Sequence, residues 1–300
     1  MLTSGVSPLQ ADPEFVLAVD VGGTKLAAGQ VDRSGRVAWA DQVPTPSGDA
    51  ATVWSALTSL VAQAPAAHVV ACGIGCGGPM SLRGELVSPL NIPGWRDFPL
   101  RRGLSDLTGL PTWIDNDAKA LALADGWLGA AVGIPNYVSM VVSTGIGGGI
   151  VLDGHLLNGA AGNAGHIGHV IVEPAGRRCG CGARGCLEAE ASGLAIAAVT
   201  GQPPATASLE VIERTGRLVG RAVASVANLL DLQLASVSGS VALGFGEPFF
   251  AAARRELAAR ARLQFSTGCR ILPGRLGTAG PLVGAGAVGW RGYDANGVAG

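Results

Sequence analysis

His169 is followed ten residues later by the string CGCGARGC, which places Cys179, Cys181 and Cys186 in one short loop. One imidazole and three thiols this close in the chain are the donor set of a closed tetrahedral zinc site. The plainer reading is a set of buried thiols or a disulfide pair. Disulfide scaffolds, however, are short secreted chains, and this one has 300 residues. The C-x-C spacing departs from the C-x-x-C of zinc ribbons, so the string alone names no function. It does predict a metal-pinned loop ending just before Glu188, a carboxylate two residues beyond the last thiol.

Two glycine-rich strings carry a second kind of chemistry. DVGGTK at 20–25 and STGIGGG at 143–149 each lie between two apolar runs that read as strands. A Walker loop or a dinucleotide fingerprint needs a helix after its glycines, which excludes both. Hairpin turns with bare backbone and small hydroxyls are ordinary when single. As a pair facing each other across a cleft they can wrap a polyphosphate. Between them, IDND at 114–117 closes a strand and opens the helix AKALALADGWLG, where Asn116 or Asp117 has the shape of a helix cap.

The elements that must position these groups follow from apolar patterning. FVLAVDV (15–21), LAAGQVD (26–32) and RVAWADQV (36–43) read as a three-stranded meander, then a helix over 49–63, then the buried strand VVACGIG (69–75) running into Gly77-Gly78-Pro79. PTWIDND (111–117) is a strand. The pattern then restarts, with strand YVSMVVS (137–143), the turn TGIGGG and the returning strand IVLDGHLL (150–157). Each half therefore opens strand, glycine turn, strand: a repeat of fold more than of sequence. Helices are predicted near 188–199, over 207–230, from about 247 to 262 and at 281–290, with strands LASVSGS (234–240) and CRILPG (269–274) between them. The closing RGYDANGVAG reads as frayed. With no Ser/Pro linker between the halves, the domain boundary is expected near 115–120.

Composition narrows the partners. A net charge of −1 offers no basic field for nucleic acid or an anionic membrane surface. No run reaches the ~18 apolar residues of a membrane span, and MLTSGVSPLQADPEF lacks the charged and apolar regions of a signal peptide. Free cysteines beside a zinc-type cluster fit the reducing cytoplasm. Cys72, Cys76 and Cys269 read as packed thiols, and His68 and His155 as surface or turn residues. The 47 glycines, about twice the usual share, cluster in strings, which points to loops where backbone approaches a ligand.

Taken in order, LAVDVGGTK, IDNDAKA, VSTGIGGGI, GNAGHIGH and CGCGARGCLEAEASG resemble the ROK family of bacterial sugar kinases and sugar-responsive repressors, from about residue 15 to about residue 290. The resemblance implies an α/β fold of the actin-like ATPase type, a duplicated ribonuclease H-like unit with a cleft between two lobes. Residues 1–117 and 281–300 would form the small lobe, and 118–280 the large lobe with its zinc-binding loop 169–186. It implies phosphoryl transfer from ATP, with Mg2+, to the 6-hydroxyl of a hexose, in a cytoplasmic homodimer whose other partners are a sugar and a nucleotide.

Residue by residue, Asp117 matches the family's general base and Asn116 its sugar-binding neighbour. Asp20, Gly22, Gly23 and Thr24 match the first phosphate loop, with Asp20 holding magnesium or its waters; Lys25 either touches phosphate or is a solvated turn residue. Thr144, Gly145 and Gly147 match the second loop, and Gly239, within Ser238-Gly239-Ser240, stands where the family has paired glycines on the adenine side. His169 matches a histidine that binds structural zinc through one nitrogen and sugar through the other. Cys179, Cys181 and Cys186 complete that metal site, and Glu188 matches a carboxylate for sugar hydroxyls. Gly78 and Asn91 fall where sugar-side loops are expected.

His166 stands where many members carry glutamate, and GHIGH, PTP at 44–46 and GSV near 240 look most like the bacterial N-acetylmannosamine kinases. Imidazole can donate to an acetamido carbonyl, which a carboxylate cannot. An N-acylhexosamine is therefore favoured, with glucose as the alternative acceptor. A DNA-binding repressor is disfavoured because fourteen residues precede Phe15 and no basic charge accompanies them. A non-catalytic sugar sensor is disfavoured by the intact Asp20, Asp117 and both turns.

Overall fold

The computed structural model describes residues 13–297. The leader reading of the first residues and the lobe assignment of 1–12 and 298–300 fall outside this range.

The first sheet is built from β1 (Phe15–Val21), β2 (Lys25–Asp32), β3 (Val37–Pro44), β4 (Val69–Cys76) and β5 (Thr112–Asn116), in the order β3-β2-β1-β4-β5. β1 pairs antiparallel with β2 and parallel with β4, and β4 is parallel to β5. β1 and β4 are continuous apolar runs because both faces of this sheet are covered. One face packs on α1 (Ala50–Val61) and α2 (Leu100–Thr108), where Val53, Leu57, Leu60, Leu100 and Leu104 meet Leu17, Val19, Cys72 and Ile74. The other face packs on the last helix, α9 (Gly280–Gly297). That approach is close: a methyl on Gly73 would lie 2.0 Å from the Ala285 carbonyl.

The second sheet repeats the plan. It contains β6 (Tyr137–Val142), β7 (Ile146–Leu152), β8 (His155–Leu156), β9 (Leu234–Ser238) and β10 (Arg270–Pro273), in the order β10-β9-β6-β7-β8. β6 is antiparallel to β7 and parallel to β9, and β9 is parallel to β10, so each strand has a counterpart in the first sheet. The repeat expected from the glycine turns is thus a repeat of topology, and the α/β fold class holds.

α3 (Asp117–Leu128) lies against β6 and β7, and α6 (Leu209–Leu230) with α8 (Glu247–Arg260) covers the opposite face around Leu218, Val223, Phe249 and Leu257. α3 and α9 touch back to back, Gly284 resting on the Ala120 backbone. The layers therefore run α1 and α2, first sheet, α9, α3, second sheet, α6 and α8.

Several elements differ from the sequence reading. The run 150–157 is broken at Asp153-Gly154, both in left-handed backbone, into β7 and β8. Gly147, Gly148 and Gly149 belong to β7 and not to a turn. The helical stretch at 188–199 is two helices, α4 (Leu187–Ala191) and α5 (Gly193–Thr200), separated at Ser192, whose hydroxyl caps α5. α2 and the six-residue α7 (Ser240–Phe245) were not anticipated. α9 continues to Gly297 within the segment read as frayed, whose last three residues lie outside the described range, because Arg33 stacks 4.1 Å above Trp290 and pairs with Asp294 at 2.9 Å. Among the described residues no helix is long and apolar enough to cross a membrane.

Candidate active site

Three parallel strands end side by side and deliver the carboxylates. Register pairs Asp20 of β1 with Gly75 of β4, and Cys76 of β4 with Asn116 of β5. A methyl on Gly75 would lie 3.7 Å from Asp20 Oδ1 and 3.8 Å from the Asp117 Cα, so the two acids flank one glycine. Asp20 is only 8 % exposed, and its pKa is pushed up to about 7 by burial and by the charge of Asp117, against a smaller pull from Lys25. Asp117 is exposed to solvent, yet the protein packed around its carboxyl partly encloses it. That enclosure raises its pKa above the ordinary carboxylate value. The Ala118 N–H and the nearby His166 work against the rise.

Both readings of the Asn116–Asp117 pair have a place in the geometry. Asn116 is the N-cap of α3, its Oδ1 accepting from the N–H groups of Ala118 (3.1 Å) and Lys119 (3.4 Å). Asp117 is the first helical residue. One of its oxygens accepts from Ala118 N–H at 2.8 Å, and the other lies toward Gly77. Gly78 sits beside the Asn116 amide, where a methyl would lie 3.4 Å from Nδ2.

The first glycine turn is closed by the Gly22 N–H donating to the Lys25 carbonyl at 3.0 Å. Thr45 pins it, its hydroxyl donating to the Gly22 carbonyl at 2.6 Å and its N–H to the Thr24 carbonyl at 3.0 Å. Asn91 packs directly on Gly23, where a methyl would sit 2.3 Å from the Asn91 Cβ. Lys25 points its ammonium to Gln42 Oε1 at 3.1 Å.

The second turn is held from several sides. Ser143 N–H donates to the Gly145 carbonyl, while Gly193 and Leu194, at the start of α5, donate to the carbonyls of Ser143 (2.7 Å) and Thr144 (3.2 Å). Glu188 Oε2 accepts from the Ile146 N–H at 3.1 Å. The Ser143 hydroxyl meets that of Ser240 at 2.9 Å, beside Gly239, whose left-handed φ lets it press on the Val142 backbone. Gly147 faces α3, with room for a methyl only at 3.0 Å from the Ala118 Cβ. The two turns, Asp20, Asn116, Asp117, Gly78, Asn91 and Glu188 therefore form a connected set.

The His/Cys cluster comes together as its spacing suggested. The ligand atoms of His169, Cys179, Cys181 and Cys186 all lie within 4.8 Å of one another. Cys181 Sγ and Cys186 Sγ are 3.7 Å apart, and Cys179 Sγ is 3.8 Å from His169 Nδ1. Tetrahedral zinc with ~2.3 Å bonds to sulfur sets neighbouring sulfurs about 3.8 Å apart, so the donor set fits that ion. With Nδ1 turned to the thiols, Nε2 of His169 is the nitrogen left for other work. The His166 ring lies 6.0 Å from that of His169. Burial and the neighbouring His169 lower its pKa, which keeps it a neutral imidazole with one donor and one acceptor.

Residues not singled out from the sequence complete the site. Lys119, 2 % exposed, pairs with Asp115 at 2.8 Å and donates to Asn158 Oδ1 and to the Gly162 carbonyl, both at 3.0 Å, so α3 holds the loop that leads to His166. Buried Glu190 accepts from the Arg177 N–H and from Arg214, each at 2.6 Å, anchoring the cysteine-bearing loop at its base. The available hint for Lys119 was its place four residues after Asp115, an acid just ahead of the helix. Glu190 left no comparable signal.

The ROK family model matches residues 16–289. The chain belongs to the ROK family. It is 38 % identical over 262 residues to the N-acetylmannosamine kinase of Citrobacter koseri, covering 81 % of this chain and 88 % of that one. The likeness to the N-acetylmannosamine kinase of Yersinia pestis is 37 % over 249 residues, 77 % of this chain and 84 % of that one. Among solved structures, a ROK hexokinase from Thermus thermophilus is 34 % identical with a TM-score of 0.79, covering 94 % of this chain and 99 % of that one. A ROK family glucokinase from Streptomyces griseus, in complex with glucose and AMPPNP, is 30 % identical with a TM-score of 0.80, covering 92 % and 99 %. These neighbours are ROK sugar kinases, and their fold is the actin-like ATPase fold.

Proposed function

We propose that this ROK protein is an ATP-dependent sugar kinase acting on the 6-hydroxyl of an N-acylhexosamine, with N-acetylmannosamine the favoured acceptor. The observation carrying the reading is the position of Asp117, a raised-pKa carboxylate that flanks Gly75 together with Asp20 and opens α3, the helix on which Gly147 packs just after the second turn. An attacking alcohol must lose its proton as the phosphoryl group arrives, and a carboxylate within ~3 Å of that hydroxyl can take it.

In this reading Asn116 offers its Nδ2 to the sugar while its Oδ1 caps α3. Gly78, Asn91, His169 Nε2 and the free oxygen of Glu188 line the acceptor side. The turns at Gly22-Gly23-Thr24 and Thr144-Gly145 receive the phosphates, with Lys25, Gly147 and Gly239 on the nucleotide side. Asp20 would hold magnesium, which when bound offsets phosphate charge. His169, Cys179, Cys181 and Cys186 would hold zinc in a closed, structural site, ordering the loop that presents His169 and Glu188. The packing of α9 on the first sheet supports placing the chain from 281 onward with the small lobe, and 118–280 with the large one. A cytoplasmic homodimer remains part of the proposal.

His166 supports the N-acyl preference, since a neutral imidazole can donate to an acetamido carbonyl. The relatives named N-acetylmannosamine kinase point the same way. Glucose is the second reading, supported by the likeness to the Streptomyces griseus glucokinase. An ADP-release assay run in parallel with N-acetylmannosamine, N-acetylglucosamine, glucose and mannose tests both. The expected order puts N-acetylmannosamine first. Turnover of glucose alone would overturn the role given to His166, and turnover of none would overturn the kinase.

A further inference from the structure

Asn163 joins the two halves of the molecule by a contact that a primary amide is well suited to make. After β4 the chain forms a short ladder in which Ser81 N–H donates to the Leu86 carbonyl and Ser88 N–H to the Pro79 carbonyl, both at 2.9 Å. Met80, which faces Val87 in that ladder, turns its own N–H and carbonyl to the opposite side. There Asn163, from the loop after β8, donates Nδ2 to the Met80 carbonyl at 3.1 Å and accepts from the Met80 N–H at 3.5 Å. Its second Nδ2 hydrogen reaches the Ala161 carbonyl at 3.1 Å, which fixes the orientation of the amide. A side-chain amide presents one donor and one acceptor side by side, the complement of one residue of free strand edge.

Both ends of this contact lead to the acceptor side of the site. Met80 follows Gly77 and Gly78, which lie against Asp117 and Asn116. Asn163 precedes His166 by three residues, and its loop is held to α3 by Lys119. A ring of contacts therefore closes around Asp117, from α3 through Lys119, the 158–163 loop, Asn163 and Met80, and back to Gly78.

We propose that Asn163 is a positioning residue that latches the His166 loop to the Gly77–Met80 loop and so sets the width of the acceptor pocket. The inference rests on the sugar-kinase reading. Asn163→Ala is expected to raise the KM and Kd for N-acetylmannosamine about tenfold, the scale of one lost buried hydrogen-bonded pair. Its kcat should stay within about twofold and its nucleotide KM should not change.

Asn163→Asp separates a latch from mere packing. An ionised carboxylate still accepts from the Met80 N–H but confronts the Met80 carbonyl with a second acceptor, whereas the protonated acid regains a donor. Sugar affinity of this variant, measured by calorimetry, should recover toward wild type as pH falls from about 6 to about 4, the range in which an ordinary aspartate begins to take up its proton. Lys119, Asp115, Asp117 and His166 carry charge or titrate around this loop, so Asn163→Ala at the same pH is the reference.

Hydrogen exchange of the Met80 amide in the free protein reads the latch without any sugar: it should be protected in the wild type and opened in Asn163→Ala. Wild-type sugar affinity in Asn163→Ala, an Asn163→Asp profile parallel to that of Asn163→Ala, or an unprotected Met80 amide would overturn the latch. Failure of the wild type to bind or phosphorylate any hexose, with Met80 protected, would instead overturn the sugar-kinase reading and leave the contact standing.

Discussion

In the proposed mechanism, Asp117→Asn keeps the shape of the side chain and removes the proton acceptor. Turnover should fall by two or more powers of ten while sugar affinity, read by calorimetry, is kept. Because burial raises the Asp117 pKa, the acid limb of kcat/KM should lie above the ordinary carboxylate value of about 4, with activity lost as pH falls and the proposed base is protonated. A limb at or below that value would contradict the enclosure described for this residue. Asp20 supplies a test of sign. Its pKa rises from 3.8 to about 7 on folding, so its contribution to stability is full below about pH 4 and is lost as pH rises through 7. In magnesium-free buffer, Asp20→Asn should therefore unfold at higher denaturant than wild type at pH 8, by on the order of 3 kcal/mol, and the gap should close toward pH 4. At this scale the sequence was legible where a residue can be picked out from its own motif, as with Asp20, Asn116 and Asp117, which the structure brings together. Lys119 and Asn163 were not legible, because their partners, at Gly162 and Met80, are 43 and 83 residues away.

The loop carrying the His169 and cysteine cluster shows what an element contributes beyond its candidate ligands. Its base is held by Glu190 through Arg177 and Arg214, bonds that need no ion. Cys181→Ser, or chelation, should therefore remove zinc by elemental analysis and lower the melting temperature, yet leave a folded protein with weakened sugar affinity and turnover still measurable at saturating sugar. A wild type without zinc, and a variant with an unchanged melting curve, would refute the metal. Elements were misread where local composition and tertiary demand diverge. The glycines of β7 look like a turn, but a methyl on Gly149 would lie 2.7 Å from the Ala122 Cβ, so they are the price of seating a strand against α3. α7 spans six residues, too few to display helical periodicity. α9 looked frayed because the contacts that order its end come from Arg33, far away in sequence.

At the scale of the molecule, α3 and α9 form the seam between the two sheets. A methyl on Gly284 would lie 2.8 Å from the Ala120 backbone carbon. Gly284→Leu should push the helices apart, lowering both stability and turnover, since α3 begins with Asp117 and α9 backs the strand that carries Asp20. Denaturant melts and kcat on the same preparations check whether the two losses travel together. The duplication was legible because each half repeats strand, glycine turn, strand. The layering was not, since nothing local says that the last helix returns to the first sheet. Equal in topology, the halves are unequal in electricity: one turn starts from a carboxylate, the other from the hydroxyls of Ser143 and Thr144. An anionic chain laid between them would meet repulsion at one jaw, to be bridged there by a cation, and neutral donors at the other. The cleft thus has a polarity, and a donor seated in it has one way round.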